Sequence, residues 1–191
     1  MGNDRKVAPG SLAALVSFLE SLPGPVVVGI DGPGGAGKST LAAALQAAWP
    51  GSEVVHTDDF ASWDNPIDWW PRLLEQVLVP LSQGEAARYQ RYDWVERRLA
   101  DWLTVSPGRV IVEGVSSTRR EFDPYLSYRI WVETDRAERL RRGLQRDGDA
   151  AYAQWHEWMS AEDAHYSSDQ PVERADLVLS GDDARSFICS G

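Results

Sequence analysis

The chain has 191 residues, 43% of them hydrophobic and 25% charged, and 29 acidic against 19 basic residues give a formal net charge of −10. That size and composition suit one globular domain able to bury its own core, and the acidic excess argues against a polynucleotide partner. No apolar run approaches the roughly 18 residues of a bilayer span, no signal-peptide core follows the first residues, and the lone Cys189 has no internal disulfide partner. These observations lead us to expect a cytoplasmic protein without membrane contacts.

In chain order, Leu12, Leu15, Val16 and Leu19 at helical spacing behind Ser11 predict a helix over 11–22, stopped by Pro23-Gly24-Pro25. The β-branched run at 26–30 reads as a buried strand, the glycine-rich stretch 32–37 follows at once, and an alanine- and leucine-rich helix is predicted over 38–49. Further strands are expected at 53–56, 110–112, 129–132 and 177–179, with helices over 69–81, 136–145 and 150–165. Strands that alternate with helices imply parallel pairing through crossovers. The fold class is therefore α/β, three-layered, with a mainly parallel five-stranded sheet, helices on both faces and a short arginine-rich segment over 136–149. Residues 88–94 alternate polar and aromatic side chains and suggest a small hairpin outside the main sheet, within an acceptor-side insertion over about 61–104. The polar or Gly/Ser-rich ends, 1–6 and 181–191, are expected to fray, and Trp49, Trp102 and Trp131 are expected in the core.

The segment Gly32-Pro33-Gly34-Gly35-Ala36-Gly37-Lys38-Ser39 satisfies G-x-x-x-x-G-K-[ST] at every required position. Its glycines allow successive backbone N–H groups to turn inward around phosphate, and the helix that follows adds its positive end. Lys38 is expected to reach the β- and γ-phosphates and Ser39 to bind Mg²⁺. Gly32, Gly34, Gly35, Ala36, Gly37, Lys38, Ser39 and Thr40 form the expected nucleotide contacts. No guanine-reading N/T-K-x-D segment is present, and the transporter-like Leu81-Ser82-Gln83-Gly84-Glu85 lacks the subdomain that would accompany it.

Two acidic positions close apolar strands, where open α/β sheets bind ligands. Glu113, followed by Gly114, is placed to hold Mg²⁺ through a water. Asp58, with Asp59 as the alternative, is placed to take the proton of an acceptor hydroxyl. His56 reads as a packing or hydrogen-bonding residue. Five arginines, Arg136, Arg139, Arg141, Arg142 and Arg146, stand against the single acid Glu138 within 136–146. Helical spacing aligns Arg139, Arg142 and Arg146 on one face, suited to neutralising a phosphoryl group in transfer.

On these residues the chain resembles the uridine kinase family of P-loop kinases, with phosphoribulokinase and pantothenate kinase as relatives. The resemblance covers about 26–181 and rests on GPGGAGKS, on TDDF in place of the family's D-x-F-Y, on WDNP for F-D-H-P, on YDW for Y-D-F, on VIVEG, on ETDRAERLRRGLQRD for the lid, and on ADLVLSG for the last strand. It implies ATP and Mg²⁺, Asp58 as base, Ser39 and Glu113 at the metal, and catalytic roles for Lys38, Arg139, Arg142 and Arg146. The expected acceptor contacts are Asp58, Phe60, Trp63, Asp68, Tyr92, Trp94 and Arg97. Ala61 stands where the family has tyrosine, and Arg97 where it has a base-reading histidine. The expected activity is phosphoryl transfer to the hydroxyl of a nucleoside-like metabolite. A non-nucleoside alcohol as acceptor and a silent nucleotide-binding regulator are the alternatives, and a homodimer is an allowed assembly.

Overall fold

The computed structural model describes residues 9–62 and 64–189, with the side chains of Asp182, Asp183 and Arg185 left aside. Five strands form one sheet in the order β2-β5-β1-β6-β7: β1 (Val26–Asp31), β2 (Ser52–His56), β5 (Arg109–Glu113), β6 (Tyr128–Glu133) and β7 (Leu177–Ser180). Every pairing among them is parallel. This is the three-layer α/β fold that the alternating pattern predicts.

Period-two alternation assigns each strand side chain to a layer. Val26, Val28 and Ile30 join Ile111, Ile130 and Val132 in a cluster covered by α1 (Leu12–Glu20), α2 (Lys38–Ala48) and a C-terminal helix. Val27, Val110 and Val112 face the opposite way, against α3 (Trp70–Leu73), the π-helical turn Leu74–Leu78 and α4 (Val79–Ser82). These three pieces form the single helix expected at 69–81. Pro80 has no N–H to return to Gln76, which accounts for the wide turn just ahead of it.

The stretch expected as a small hairpin is one arm of a larger one, in which β3 (Ala87–Asp93) pairs antiparallel with β4 (Arg98–Val105). The lid helix α5 (Arg136–Asp147) is followed by α6 (Tyr152–Asp169) and the short α7 (Pro171–Arg174).

Two expectations are corrected. Residues from 181 onward do not simply fray, because Gly181–Cys189 forms α8. Ala184, Phe187 and Ile188, at helical spacing, seat it in the core despite the polar residues between them. Trp102 is not core: it is 51% exposed, with the Arg88 guanidinium 4.5 Å from its ring centroid. Trp49 and Trp131 are buried as expected. The expectation for residues 1–6 lies outside the described residues.

Candidate active site

The order of the sheet fixes where a ligand can lie. From β1 the chain crosses to β2 on one side, with β5 later inserted between them, and β6 and β7 fill the other side, so the carboxyl end of β1 is the switch point at which open α/β sheets bind ligands. The loop 32–37 starts there. Gly32, Gly35 and Gly37 have φ of +145°, +78° and +104°, values L side chains rarely adopt. A Cβ on Gly32 would fall 2.0 Å from the Val132 carbonyl oxygen, so the loop can leave the sheet only as glycine.

Asp31, a residue the sequence reading did not single out, anchors this exit. Fully buried, it accepts hydrogen bonds from the N–H of Gly32 (2.7 Å), Ser116 (2.9 Å) and Thr118 (2.8 Å), from the Thr118 hydroxyl (2.8 Å) and from the Tyr166 hydroxyl (3.0 Å). One carboxylate thereby ties together the first residue of the loop, the segment after β5 and helix α6. Only its position at the end of β1 marked it in the sequence.

Lys38 is buried at the start of α2, and its ammonium donates to the Pro33 carbonyl at 2.9 Å. Ser39 donates to Glu113 at 2.9 Å, and His56 meets the other Glu113 oxygen at 2.8 Å. Burial pushes the Glu113 carboxyl up, but the His56 hydrogen bond, the Lys38 charge and Ser39 outweigh it, and the group stays below the usual range. The hydrogen bond to Glu113 in turn raises the His56 imidazole. Glu113 can leave the strand here because Gly114 follows: a Cβ at Gly114, where φ is +139°, would lie 1.8 Å from the Thr57 hydroxyl.

Asp58 enters from the 3₁₀ turn Thr57–Asp59 after β2 and faces a cavity of about 120 Å³ that it shares with Lys38, Ser39 and Glu113. Desolvation raises its carboxyl despite the opposing Lys38 charge. Asp58 itself is exposed at the cavity mouth. Asp59 is held elsewhere, accepting from Tyr89 at 2.9 Å, so of the two aspartates Asp58 is the one that lines the cavity.

The lid rests directly on that loop. Arg142 donates to the Gly35 carbonyl at 3.2 Å, and Arg139, itself buried, donates to the Thr134 carbonyl at 3.1 Å. Arg146 pairs with Asp147 and lies over Trp155 while lining the same cavity as Asp58. Arg141 and Arg142 share Glu138, which they hold down at about 2. Lys38, Ser39, Thr40, Arg142 and Gly143 border a second hollow that shares Lys38, Ser39 and Arg146 with the first.

The expected acceptor residues divide. Trp94 lines the cavity, and its indole N–H donates to the Asp58 carbonyl at 3.1 Å. Phe60, Asp68 and Tyr92 border a different hollow, on the other side of Trp69. Phe60 is a core residue stacked on Tyr89. Arg97 sits in the β3–β4 turn with φ of +52°, away from the cavity lining, and Trp63 lies outside the described residues. Trp69, Trp155 and Trp158 line the cavity instead, as does Glu162 of α6. Glu162 escaped the sequence reading because one acid among several in a polar helix looks like a solvated one.

Whether ATP and Mg²⁺ fit can be judged from the donors. A guanidinium nitrogen of Arg139 is buried without a hydrogen bond, and the Gly34 N–H is taken by a carboxylate, so the loop presents donors that a phosphate would satisfy. For Mg²⁺ the chain offers the hard oxygens of Ser39 and Glu113, and no group of three or more His, Cys, Asp or Glu poised for a metal exists among the described residues. A cation there would draw its remaining ligands from phosphate and water, the usual manner for Mg²⁺.

A strand, a glycine loop closed by Lys and Ser, a helix, and an acid at the end of a neighbouring strand together define a P-loop protein of the α/β class. No family model matches the chain. By sequence it is 28% identical over 142 residues to a uridine kinase of Brevibacillus brevis and 26% identical over 145 residues to one of Alkaliphilus metalliredigens. It is also 28% identical over 140 residues to the inorganic pyrophosphatase TTM2 of Arabidopsis thaliana. The matches cover 64–65% of this chain, 66% and 68% of the two uridine kinases and 21% of the pyrophosphatase, so the chain spans only about a fifth of that last protein. Among solved structures it superposes on one provisionally assigned as a uridine kinase from Bacillus stearothermophilus, with TM-score 0.65 and 22% identity over 88% of this chain and 96% of the other. A second, provisionally assigned as a fructose transport system kinase from Silicibacter sp. TM1040, gives 0.66 and 24% over 88% and 98%. The chain is thus similar in sequence to these two uridine kinases, and it shares its three-layer α/β fold with the two solved structures.

Proposed function

We propose that the protein transfers the γ-phosphoryl group of ATP, with Mg²⁺, to a hydroxyl of a small-molecule acceptor. The observation that carries this reading is the convergence of Lys38, Ser39, Glu113 and Asp58 on one cavity beneath an arginine-bearing lid. A pure binding module has no need of a carboxylate set opposite the phosphate loop.

Each residue has a task. The loop N–H groups and Lys38 bind the phosphates, and Arg139 and Arg142 hold them from the lid side and shut out water. Mg²⁺, when bound by Ser39 and Glu113, supplies charge neutralisation at the phosphate oxygens. Asp58 orients the acceptor hydroxyl in line and receives its proton late, all that a loose phosphoryl transition state asks of a base. Its raised affinity for a proton suits that duty better than an ordinary solvated aspartate would.

For the acceptor, a nucleoside-like molecule is the first reading, supported by the relatives named as uridine kinases and by flat aromatic walls. A non-nucleoside alcohol is the second, and one observation favours it. Beyond Asp58, the acceptor end of the cavity is walled by Ala61, Pro66, Ile67, Trp69, Trp94 and Trp158, and none of these carries an amide or hydroxyl to read a base edge. The test is ATP- and Mg²⁺-dependent phosphate transfer to a panel of nucleosides and other alcohols, with product masses recorded and Asp58→Asn in parallel. A product lost at least a hundredfold in the Asp58→Asn protein is expected from the loss of a general base. ATP binding without transfer to any acceptor would refute the kinase reading.

A further inference from the structure

Helix α6 buries Trp155, Met159, Glu162 and Asp169, a stripe at helical spacing. Where that stripe meets the phosphate loop, an apolar residue would complete the packing, yet the position belongs to Glu162. Its side chain is only 7% exposed, and its two carboxylate oxygens accept from the Gly34 N–H at 3.2 and 3.1 Å. One oxygen stands 3.7 Å from the Arg139 guanidinium nitrogen that has no hydrogen bond.

Buried charge of this kind is costly unless it answers another charge or donor. Here it answers the donors assembled for phosphate. A carboxylate held by a loop N–H and flanked by arginine and lysine reproduces the recognition that such a loop gives a phosphate oxygen. Gly34 makes the fit: a Cβ there would lie 3.0 Å from the Glu162 oxygen and 3.3 Å from the Trp155 ring. Desolvation accordingly raises the Glu162 carboxyl, with Lys38 and the Gly34 hydrogen bond opposing the rise.

We propose that Glu162 is a built-in competitor of the nucleotide, an affinity-setting residue that occupies a phosphate position at Gly34 until ATP displaces it. This inference rests on the reading of the loop as an ATP site. Displacement frees the Gly34 N–H and returns Arg139 to the incoming phosphate. Trp155 of α6 fills the space beside Gly143 of α5, so any shift of α6 that accompanies the displacement is passed to the lid. Nucleotide entry and lid position are thereby coupled through one carboxylate. A protein whose binding-competent form is a minor fraction shows an affinity lowered by that fraction.

The test is calorimetric titration of ATP with Mg²⁺ into the wild-type, Glu162→Gln and Asp163→Asn proteins. Asp163 neighbours Glu162 on α6, is exposed and pairs with Arg136, so its substitution removes the same charge away from the loop. We expect Glu162→Gln to tighten ATP about tenfold, the scale of a competent fraction near one tenth in the wild type, and Asp163→Asn to stay within about twofold of wild type. Equal or weaker binding by Glu162→Gln overturns the proposal, as does an equal gain in Asp163→Asn, which would reduce the effect to general charge. Binding by none of the proteins overturns the ATP-site reading itself. Should Glu162→Gln fail to fold, Glu162→Asp keeps the charge but withdraws it from Gly34; tighter binding is expected, and wild-type affinity refutes the competitor.

Discussion

Asp31→Asn tests the anchor of the phosphate loop, because the change is isosteric and its cost can be worked from geometry. One Asp31 oxygen accepts from Gly32, Ser116 and Tyr166; the other accepts from the N–H and the hydroxyl of Thr118. If asparagine places its oxygen on the first set, its amide NH₂ confronts the Thr118 N–H, a donor against a donor. An orphaned buried donor costs about 1–3 kcal/mol, and loss of charge weakens each of the three remaining bonds by about 1 kcal/mol. Rotation of the Thr118 hydroxyl to accept from the amide returns about 1 kcal/mol. The net loss is about 3–5 kcal/mol, a large part of the roughly 5–15 kcal/mol that holds a domain folded. For a chain of this size it lowers Tm by about 6–20 °C. Urea unfolding followed by circular dichroism reads the free energy. A loss below about 1 kcal/mol would refute the view that Asp31 carries the junction of β1, α6 and the segment after β5.

Gly143→Ala places a Cβ 2.3–2.8 Å from three atoms of the Trp155 ring. Overpacking of about 1–3 kcal/mol there exceeds the roughly 1 kcal/mol that alanine adds to a helix, so scanning calorimetry should show a lowered Tm, and an unchanged or raised Tm would mean that the lid does not rest on α6. Glu138→Gln tests the lid pairing by pH. The Glu138 carboxyl lies at about 2 against an ordinary 4.5, so its contribution is present above pH 4.5 and is lost as pH falls through 2. The Tm difference between wild type and Glu138→Gln should therefore shrink between pH 5 and pH 2, and a constant difference would show that the arginines do not hold the carboxyl down.

Much of the site was legible because its chemistry is written in consecutive residues. The loop 32–39 and the strand-end acid Glu113 each carry their own signal, and the parallel order of strands forces them to one edge of the sheet. The C-terminal helix was hidden by its composition, since Gly181, Asp182 and Asp183 read as a tail while Ala184, Phe187 and Ile188 carry the packing. The acceptor residues were less legible for another reason. Phe60, Asp68, Tyr92 and Trp94 lie on chain segments whose mutual placement depends on a hairpin register and on a helix with a π turn. Local spacing cannot say on which side of Trp69 each falls. Glu162 and Asp31 were invisible for a third reason. The partners that give them meaning lie 128 and 85 residues away in sequence.

The cations around the loop are answered from within the chain. Lys38 is bonded to Pro33, Arg139 faces Glu162, Arg142 is shared between Glu138 and Gly35, and Arg146 holds Asp147. A protein of net charge −10 thus keeps a positive site from acting as an open anion trap. Binding is then an exchange of partners, not a capture by free charge. A ligand with a single phosphate has fewer oxygens with which to replace these internal partners. On the proposed function, a triphosphate presents enough oxygens to replace several of these pairs at once, the one between Glu162 and Gly34 among them. On that reading, discrimination among phosphate compounds follows from how many internal pairs a ligand can supplant together, a property set by the lid and α6 as much as by the glycine loop.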